Sequence, residues 1–261
     1  MYRFTDTTES PLKSPPSLET VFNGIVLDRE LSDLAGSFQT LSVQGRGIMS
    51  YSADIFNTGD TAVLGNRRLE PRVLVLKYRL RDATSEGLRR RFERLNAILS
   101  VPEKELIFTD DASLRYTATF TTAEDPEENT NDIVASLSFI CPDPKKYGKP
   151  IKLKNVEEVR MQSIYPVHPV IEIELDSAQT EFVVRNLTRG LYIHLKSETP
   201  FTAADPIIID AKLWTIRQGS TDRIRDLIIT SDLEDFVVST GDQIELTVPG
   251  SLSLTVEGAF L

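Results

Sequence analysis

The sequence is poor in the side chains that build most catalytic and metal centres. Its 261 residues include one cysteine, two histidines and one tryptophan. A single cysteine cannot form an intramolecular disulfide, so we expect the chain to fold in a reducing compartment. A zinc site needs three or four suitably spaced Cys, His or carboxylate ligands, and Cys141, His168 and His194 stand apart in the sequence. We therefore expect no metal and no cofactor.

Long apolar runs are missing as well. No stretch approaches the roughly 18 apolar residues that a membrane-spanning helix requires. The opening "MYRFTDTTES" has no basic region followed by an apolar core, which a signal peptide would show. We expect neither membrane insertion nor a secretory leader.

Positive charge is in deficit. Lys and Arg number 29 against 39 Asp and Glu, a net charge of −10. Such a balance argues against a basic footprint that would hold a phosphate backbone. It is compatible with a surface that nucleic acid passes without sticking.

No set of residues has the pattern of a catalytic centre. Nucleophilic catalysis by Cys141 would require a histidine and an orienting group, but Cys141 ends an alternating apolar strand, where a small buried hydrophobe is expected. The Gly45–Gly47 turn "GRG" lacks the third glycine and the following helix of a phosphate-binding loop. Trp214, within "IIIDAKLWTI", is expected to be in the core or half-buried. We interpret the chain as a binding or assembly protein, not an enzyme.

The first half reads as strands with one long connection. Strands are predicted over Ser37–Gly45, Ser52–Asn57 and Arg72–Leu80, the last apolar enough to be covered on both faces. Thr58–Pro71, which contains Gly and Asn breakers, is predicted to be a loop. A loop of about 14 residues is long for a compact domain and is typically functional or interfacial.

One helix is predicted from the apolar stripe of "SEGLRRRFERLNAILS", with Thr84 or Ser85 as its N-cap and Pro102 just beyond its end. Four arginines lie largely off the stripe: Arg89, Arg90, Arg91 and Arg94. They are either a solvated face or a basic face that meets an acidic neighbour.

The acidic segment Glu124–Asp132 joins two further strands. A calcium loop would need carboxylates at fixed positions and a glycine for its sharp turn. The segment has no glycine, so a solvated hairpin loop is the preferred interpretation.

The second half alternates between strands and turns with no helical stripe, which is typical of an antiparallel β-sandwich. The strand pattern pauses near residues 145–165. We therefore divide the chain into a polar N-terminal arm (1–20), a first domain (21–148) and a second domain (149–261).

Several motifs in this order resemble the distal tail protein (Dit) family of long-tailed, non-contractile phages. "VFNGI" resembles the family's opening stretch, "VQGRGI" its Gly-Arg-x-Gly turn with Gly47 one position early, and "SLSFICPDPKKYG" the end of its first domain. "IIIDAKLWTIRQGS" and "FVVSTGDQIELTV" resemble its last strands. The residues that carry the resemblance are Phe22, Gly24, Gly45, Arg46, Gly47, Phe139, Cys141, Asp143, Pro144, Tyr147, Asp210, Gly241 and Asp242.

The resemblance implies a mainly β fold: a tail-tube-like β domain with one flanking helix, followed by a galectin-like antiparallel β-sandwich. It also implies a hub in the virion tail tip, assembled in the host cytoplasm as a homohexameric ring. Its partners would be the tail tube protein and a tail-fibre or receptor-binding protein, with DNA passing through the channel without specific binding. Asp60, Arg67 and Arg68 are the candidate inter-subunit residues of the long loop. The alternative is a carbohydrate-binding adsorption protein that contacts host saccharides.

Overall fold

The computed structural model describes residues 18–124, 126 and 130–261. Most of the predicted arm and part of the acidic loop lie outside these residues. The chain divides into two compact units, Met1–Lys146 together with Leu261, and Tyr147–Phe260. Of the predicted arm, Thr20 is fully buried in a strand and Leu18 packs against the core of the first unit.

The first unit is one antiparallel sheet with a long helix. Its elements are β1 (Thr20–Phe22), β2 (Ile25–Val26), α1 (Leu27–Glu30), β3 (Gly36–Gln44), β4 (Tyr51–Thr58), β5 (Thr61–Leu69), β6 (Arg72–Asp82), α2 (Ser85–Leu99), β7 (Lys104–Phe108), β8 (Tyr116–Ala123) and β9 (Asp132–Cys141). Seven of the strands form a sheet in the order β2-β1-β7-β8-β9-β6-β3. The strands β4 and β5 pair only with each other among the described residues.

The predicted helix is confirmed, and so is its cap. The Thr84 side chain accepts a hydrogen bond from the Gly87 amide at 3.0 Å, which satisfies one of the donors left open at a helix start. Leu88, Leu95 and Leu99 are buried in the first core. The apolar stripe of α2 therefore covers one face of the sheet.

Part of the arginine face of α2 meets acidic groups of its own chain. Arg91 is buried, and its guanidinium donates to Asp82 Oδ2 at 2.8 Å, to the Leu31 carbonyl at 2.6 Å and to Asp33. Arg94 pairs with Glu30 on α1. The second interpretation of this face is thus correct for Arg91 and Arg94.

Two predictions for the first half are wrong. Most of the predicted loop Thr58–Pro71 is the strand β5, so the connection is a β-hairpin with a turn at Gly59 and Asp60. The strand β6 is not covered on both faces, because buried residues such as Leu74 and Leu76 alternate with exposed or half-buried ones such as Val73. One face of the sheet is open in the described subunit.

A buried arginine ties together the two ends of the hairpin and the end of the first unit. Arg72, at the start of β6, is 2% exposed. Its Nε donates to the Pro144 carbonyl at 2.8 Å, and its Nη1 donates to the Gly45 carbonyl at 2.8 Å. Gly45 has a φ of +88°, and a Cβ there would lie 2.0 Å from the Val73 carbonyl oxygen. Only glycine fits this turn.

The second unit is an antiparallel β-sandwich, as predicted. After β10 (Lys146–Tyr147), its strands are β11 (Ile151–Leu153), β12 (Val170–Leu175), β13 (Gln179–Asn186), β14 (Leu191–Phe201), β15 (Ile207–Asp210), β16 (Thr215–Gln218), β17 (Thr221–Asp222), β18 (Ile244–Leu246), β19 (Gly250–Val256) and β20 (Ala259–Phe260). One sheet has the order β11-β19-β12-β15-β16-β17 and the other β14-β13-β18. Residues of both sheets, such as Ile173 and Phe182, share one core.

We expect Cys141→Ser to lower the free energy of unfolding by about 1–3 kcal/mol, because it buries a hydroxyl without a partner. Cys141 is fully buried at the end of β9, and burial raises the pKa of its thiol to about 12. The variant Cys141→Ala adds no polar group and should be milder. Denaturant unfolding of both variants measures the difference. Thiol labelling of the folded wild type at the rate of a free cysteine would contradict the burial on which this prediction depends.

Candidate assembly site

The β4–β5 hairpin exposes apolar side chains on both of its faces. Ile55 lies opposite Leu64, and Phe56 lies opposite Val63. Successive residues of a strand point to opposite faces, so each face of the hairpin carries one apolar pair. The four side chains are 66%, 64%, 60% and 53% exposed in that order.

A glycine on β5 makes room for the Phe56 ring of β4. A Cβ at Gly65 would lie 2.4 Å from the Phe56 ring, so the ring occupies the space that any other residue would fill. The Phe56 ring therefore lies close against the strand β5.

The candidate residues Asp60, Arg67 and Arg68 all lie on the hairpin. Asp60 is in the turn, and the Arg67 guanidinium lies over the Tyr51 ring, 3.6 Å from its centroid. Arg68 forms a long, exposed ion pair with Asp54 at 3.8 Å. Such a pair contributes little stability in water, so the Arg68 charge can pair with another carboxylate at little cost.

The open face of the seven-stranded sheet mixes basic, hydroxyl and apolar side chains and is not acidic. Lys77, Arg79 and Arg81 of β6 lie opposite Ser136, Val134 and Asp132 of β9. Arg79 pairs with Asp132. The acidic balance of the chain is therefore not located on this face.

A groove opens on the opposite face, between α2 and the sheet. It has a volume of about 510 Å³ and an apolar floor of Tyr78, Phe92, Leu95, Phe120 and Leu137. Its polar rim is formed by Arg89, Glu93, Asn96 and Glu124. Burial raises the pKa of Tyr78 to about 12, so its phenol is neutral near pH 7.

The family-motif residues of the first unit lie in turns and in the core. Asn23 and Gly24 both have positive φ, which makes a tight turn between β1 and β2. Phe22 packs against Phe139 with ring centroids 5.6 Å apart. Arg46 forms a bidentate pair with Asp110 at 2.7 and 2.8 Å.

The motif glycines and the Pro-Asp-Pro segment converge on one side chain. Arg72 donates to the carbonyls of Gly45 and Pro144, with a longer contact to the Gly47 carbonyl at 3.5 Å. The Asp143 carboxylate accepts a hydrogen bond from the Lys145 amide at 3.1 Å. Arg72 itself was not singled out from the sequence, because a charged residue at a strand start gives no signal of burial.

In the second unit, Asp242 is a buried carboxylate that fixes a turn. It accepts hydrogen bonds from Asn186 Nδ2 at 2.9 Å, from Arg189 Nε at 2.6 Å and from the Ser239 amide at 2.9 Å. Burial acts to raise the pKa of Asp242, but these hydrogen bonds outweigh it and hold the pKa below its usual value. The neighbouring Gly241 has a φ of +90°. The sequence motif marked Gly241 and Asp242 but missed Asn186 and Arg189.

Asp210 and Tyr147 also have structural roles in the second unit. Asp210 Oδ1 accepts from the amides of Lys212 and Leu213, both at 2.9 Å, and so closes the turn after β15. Tyr147 packs against the second core, with the Lys212 ammonium 5.3 Å from its ring centroid.

Trp214 lies outside the core of the second unit, at the half-buried end of what was expected. It is 54% exposed and has a φ of +55°, which is unusual for a bulky residue. The two histidines lie in separate surroundings: His168 Nδ1 is 3.2 Å from the Phe236 carbonyl, and His194 Nε2 is 2.8 Å from Glu181 Oε1.

The described residues contain no group of three or more His, Cys, Asp or Glu side chains placed to hold a metal ion. None of the helices in this part of the chain is long and apolar enough to cross a membrane. The surface features that stand out are the hairpin and the groove.

Comparison with known proteins gives concordant matches. The sequence is 25% identical over 240 residues to the distal tail protein of Bacillus phage SPP1, covering 85% of this chain and 91% of that protein. No family model matches the sequence.

The fold has the same relative. The crystal structure of SPP1 Dit, described as a paradigm of the hub adsorption apparatus in phages that infect Gram-positive bacteria, matches with a TM-score of 0.79 at 20% identity, over 94% of this chain and 100% of that one. A chain of the phage P2 baseplate in its activated, calcium-bound conformation matches with a TM-score of 0.51 at 11% identity, over 92% of this chain and 98% of that one. The mainly β fold predicted from the resemblance is thereby confirmed. Sequence and fold thus point to the same relative, and the resemblance of this chain to the phage distal tail (Dit) proteins is confirmed.

Proposed function

We propose that the chain is a structural hub of a phage tail, where six copies form a ring around a channel for DNA. The ring would join the tail tube to the host-adsorption apparatus. In this proposal the first domain (21–148) forms the ring. Similarity to SPP1 Dit and to a baseplate chain supports a place in the virion tail and a non-enzymatic role.

The observation that carries the proposal is the apolar hairpin. A lone two-stranded hairpin is marginally stable in water. Here both faces expose an apolar pair, and no third strand among the described residues covers either face. Exposed apolar surface of this kind marks a contact with another protein. A second copy of the chain is the partner that is always present.

We expect the purified chain to form a particle of about 176 kDa, since six copies of 29.3 kDa give that mass. Light scattering over a concentration series measures the mass, and electron micrographs show the symmetry. The variant Ile55→Ser/Phe56→Ser/Val63→Ser/Leu64→Ser should remain folded and monomeric, because it removes the apolar pairs and little else.

The matched control is Ile229→Ser, which alters a 99% exposed apolar residue of the second unit. It should assemble like the wild type. A wild-type chain that is monomeric or dimeric at every concentration, alone and with tail partners, would contradict the ring.

The exposed Trp214 favours a second candidate, a carbohydrate-binding adsorption protein. Its ring is half in solvent, as a sugar-stacking platform requires. The polar groups beside it are already engaged, because Asp210 accepts from the turn amides and Lys212 lies over Tyr147. Little remains there to hold sugar hydroxyls, so the hub is the preferred function.

We expect no saccharide to bind at Trp214 with a Kd in the micromolar range. As Trp214 is the only tryptophan, its fluorescence reports directly on a ligand at this site. The measurement is a fluorescence titration with host wall saccharides, repeated by calorimetry. Micromolar binding that is lost in a folded Trp214→Ala variant would promote the carbohydrate-binding function.

A further inference from the structure

We infer that the hairpin tip of one copy occupies the groove between α2 and the sheet of the neighbouring copy. The hairpin tip is defined here by Ile55, Phe56, Val63 and Leu64, and the groove by the residues described above. This inference rests on the proposed ring and names the surface that receives the hairpin.

The two surfaces match in chemistry. The groove has an apolar floor, including Phe92 and Phe120, which are only partly buried. The hairpin tip offers four apolar side chains that the described residues leave more than half exposed. Covering them at about 25 cal/mol per Å² is a sizeable gain for both partners. A volume of about 510 Å³ is in the range of pockets that enclose a whole small ligand, so it admits several side chains.

The polar groups of the groove also fit a hairpin. Each strand of β4–β5 has one edge whose backbone groups are unpaired among the described residues. Tyr78 is almost fully buried and its phenol makes no hydrogen bond within the described part of the chain, and Asn96 lies at the rim. A phenol and an amide can donate to and accept from such a backbone edge.

Charge is complementary as well. Glu93 and Glu124 outnumber Arg89 at the groove rim, and the hairpin carries Arg67 and Arg68 below its tip. Among the described residues, the guanidinium of Arg68 has only the long pair with Asp54. An acidic rim therefore attracts the basic part of the hairpin and fixes its register more than it adds affinity.

Topology places the two surfaces at different sites of the sheet. The hairpin connects β3, the edge strand, to β6. The groove includes Phe120 of β8 and Leu137 of β9, further along the sheet order. When each hairpin enters the groove of the next copy, the contact is heterologous, and heterologous contacts generate rings when the rotation closes. A two-fold dimer would require two copies to exchange hairpins reciprocally, which the mass of the particle distinguishes from a ring.

Cross-linking tests the inference on the full chain. In a Cys141→Ala background, which has no other cysteine, we would combine Asn96→Cys with Leu64→Cys, and separately with Ile55→Cys. A short bismaleimide should then link neighbouring copies into a ladder that ends at six. Single-cysteine variants should give no ladder, and neither should Asn96→Cys with Ile229→Cys, which places the second thiol outside the hairpin.

A second pair of variants needs no cross-linker. Asn96→Trp fills the groove, whereas Arg90→Trp adds the same bulk to an exposed position of α2 outside the groove. We expect Asn96→Trp to raise the concentration of half-assembly about tenfold or more. Arg90→Trp should leave it almost unchanged, and both should unfold at the wild-type temperature.

The outcomes separate the two proposals. A ring-sized particle with the ladder and a selective effect of Asn96→Trp supports the inference. A ring-sized particle with no ladder from either pair, or with equal effects of the two tryptophans, overturns the groove as the receiving surface and leaves the ring intact. A particle that never exceeds a monomer overturns both.

Discussion

The buried guanidinium of Arg72 is the interaction on which the first unit depends. It contacts the carbonyls of Gly45 and Pro144 and lies 5.6 Å from the Tyr116 ring centroid. Removing a cation from water costs several kcal/mol unless fixed dipoles replace the water. The two carbonyls must therefore stay in place. One follows β3 and the other follows β9, and Arg72 holds both of them to the start of β6. The Pro-Asp-Pro segment ends the sheet because it is fixed to the hairpin root.

This constraint gives the hairpin a rigid root and an uncovered tip. Gly45 precedes the hairpin and Arg72 follows it, so both chain ends leave from one buried point. Near the root, the Arg67 guanidinium over Tyr51 adds a further contact. Binding costs less when the binding element is already ordered. A hairpin that is fixed at its root and apolar at its tip is therefore suited to insertion into a neighbouring copy.

What could be predicted from the sequence was local. The stripe and cap of α2 lie within one segment, and the alternation of the second half reports its own burial. The strand β5 was missed because Gly65 and Asn66 look like breakers, whereas Gly65 in fact makes room for the Phe56 ring across the hairpin.

Three polar residues, Arg72, Asn186 and Arg189, were missed because each acts through a partner more than 25 residues away in the chain. For Trp214 the sequence left the core and a half-buried position open, because its apolar neighbours belong to the strands on either side of a turn.

The exposed hairpin gives the net charge of −10 a role, which is to oppose non-specific association. A chain with exposed apolar pairs on both faces of a hairpin would associate non-specifically if nothing opposed that association. Net charge far from zero keeps copies apart and soluble, and its reach is about a Debye length, near 8 Å at physiological salt. Only a contact that brings complementary surfaces together at short range overcomes that repulsion. The net negative charge therefore favours the interface whose two surfaces fit well. In this way it aids ordered assembly, and this role requires no contact between an acidic surface and DNA.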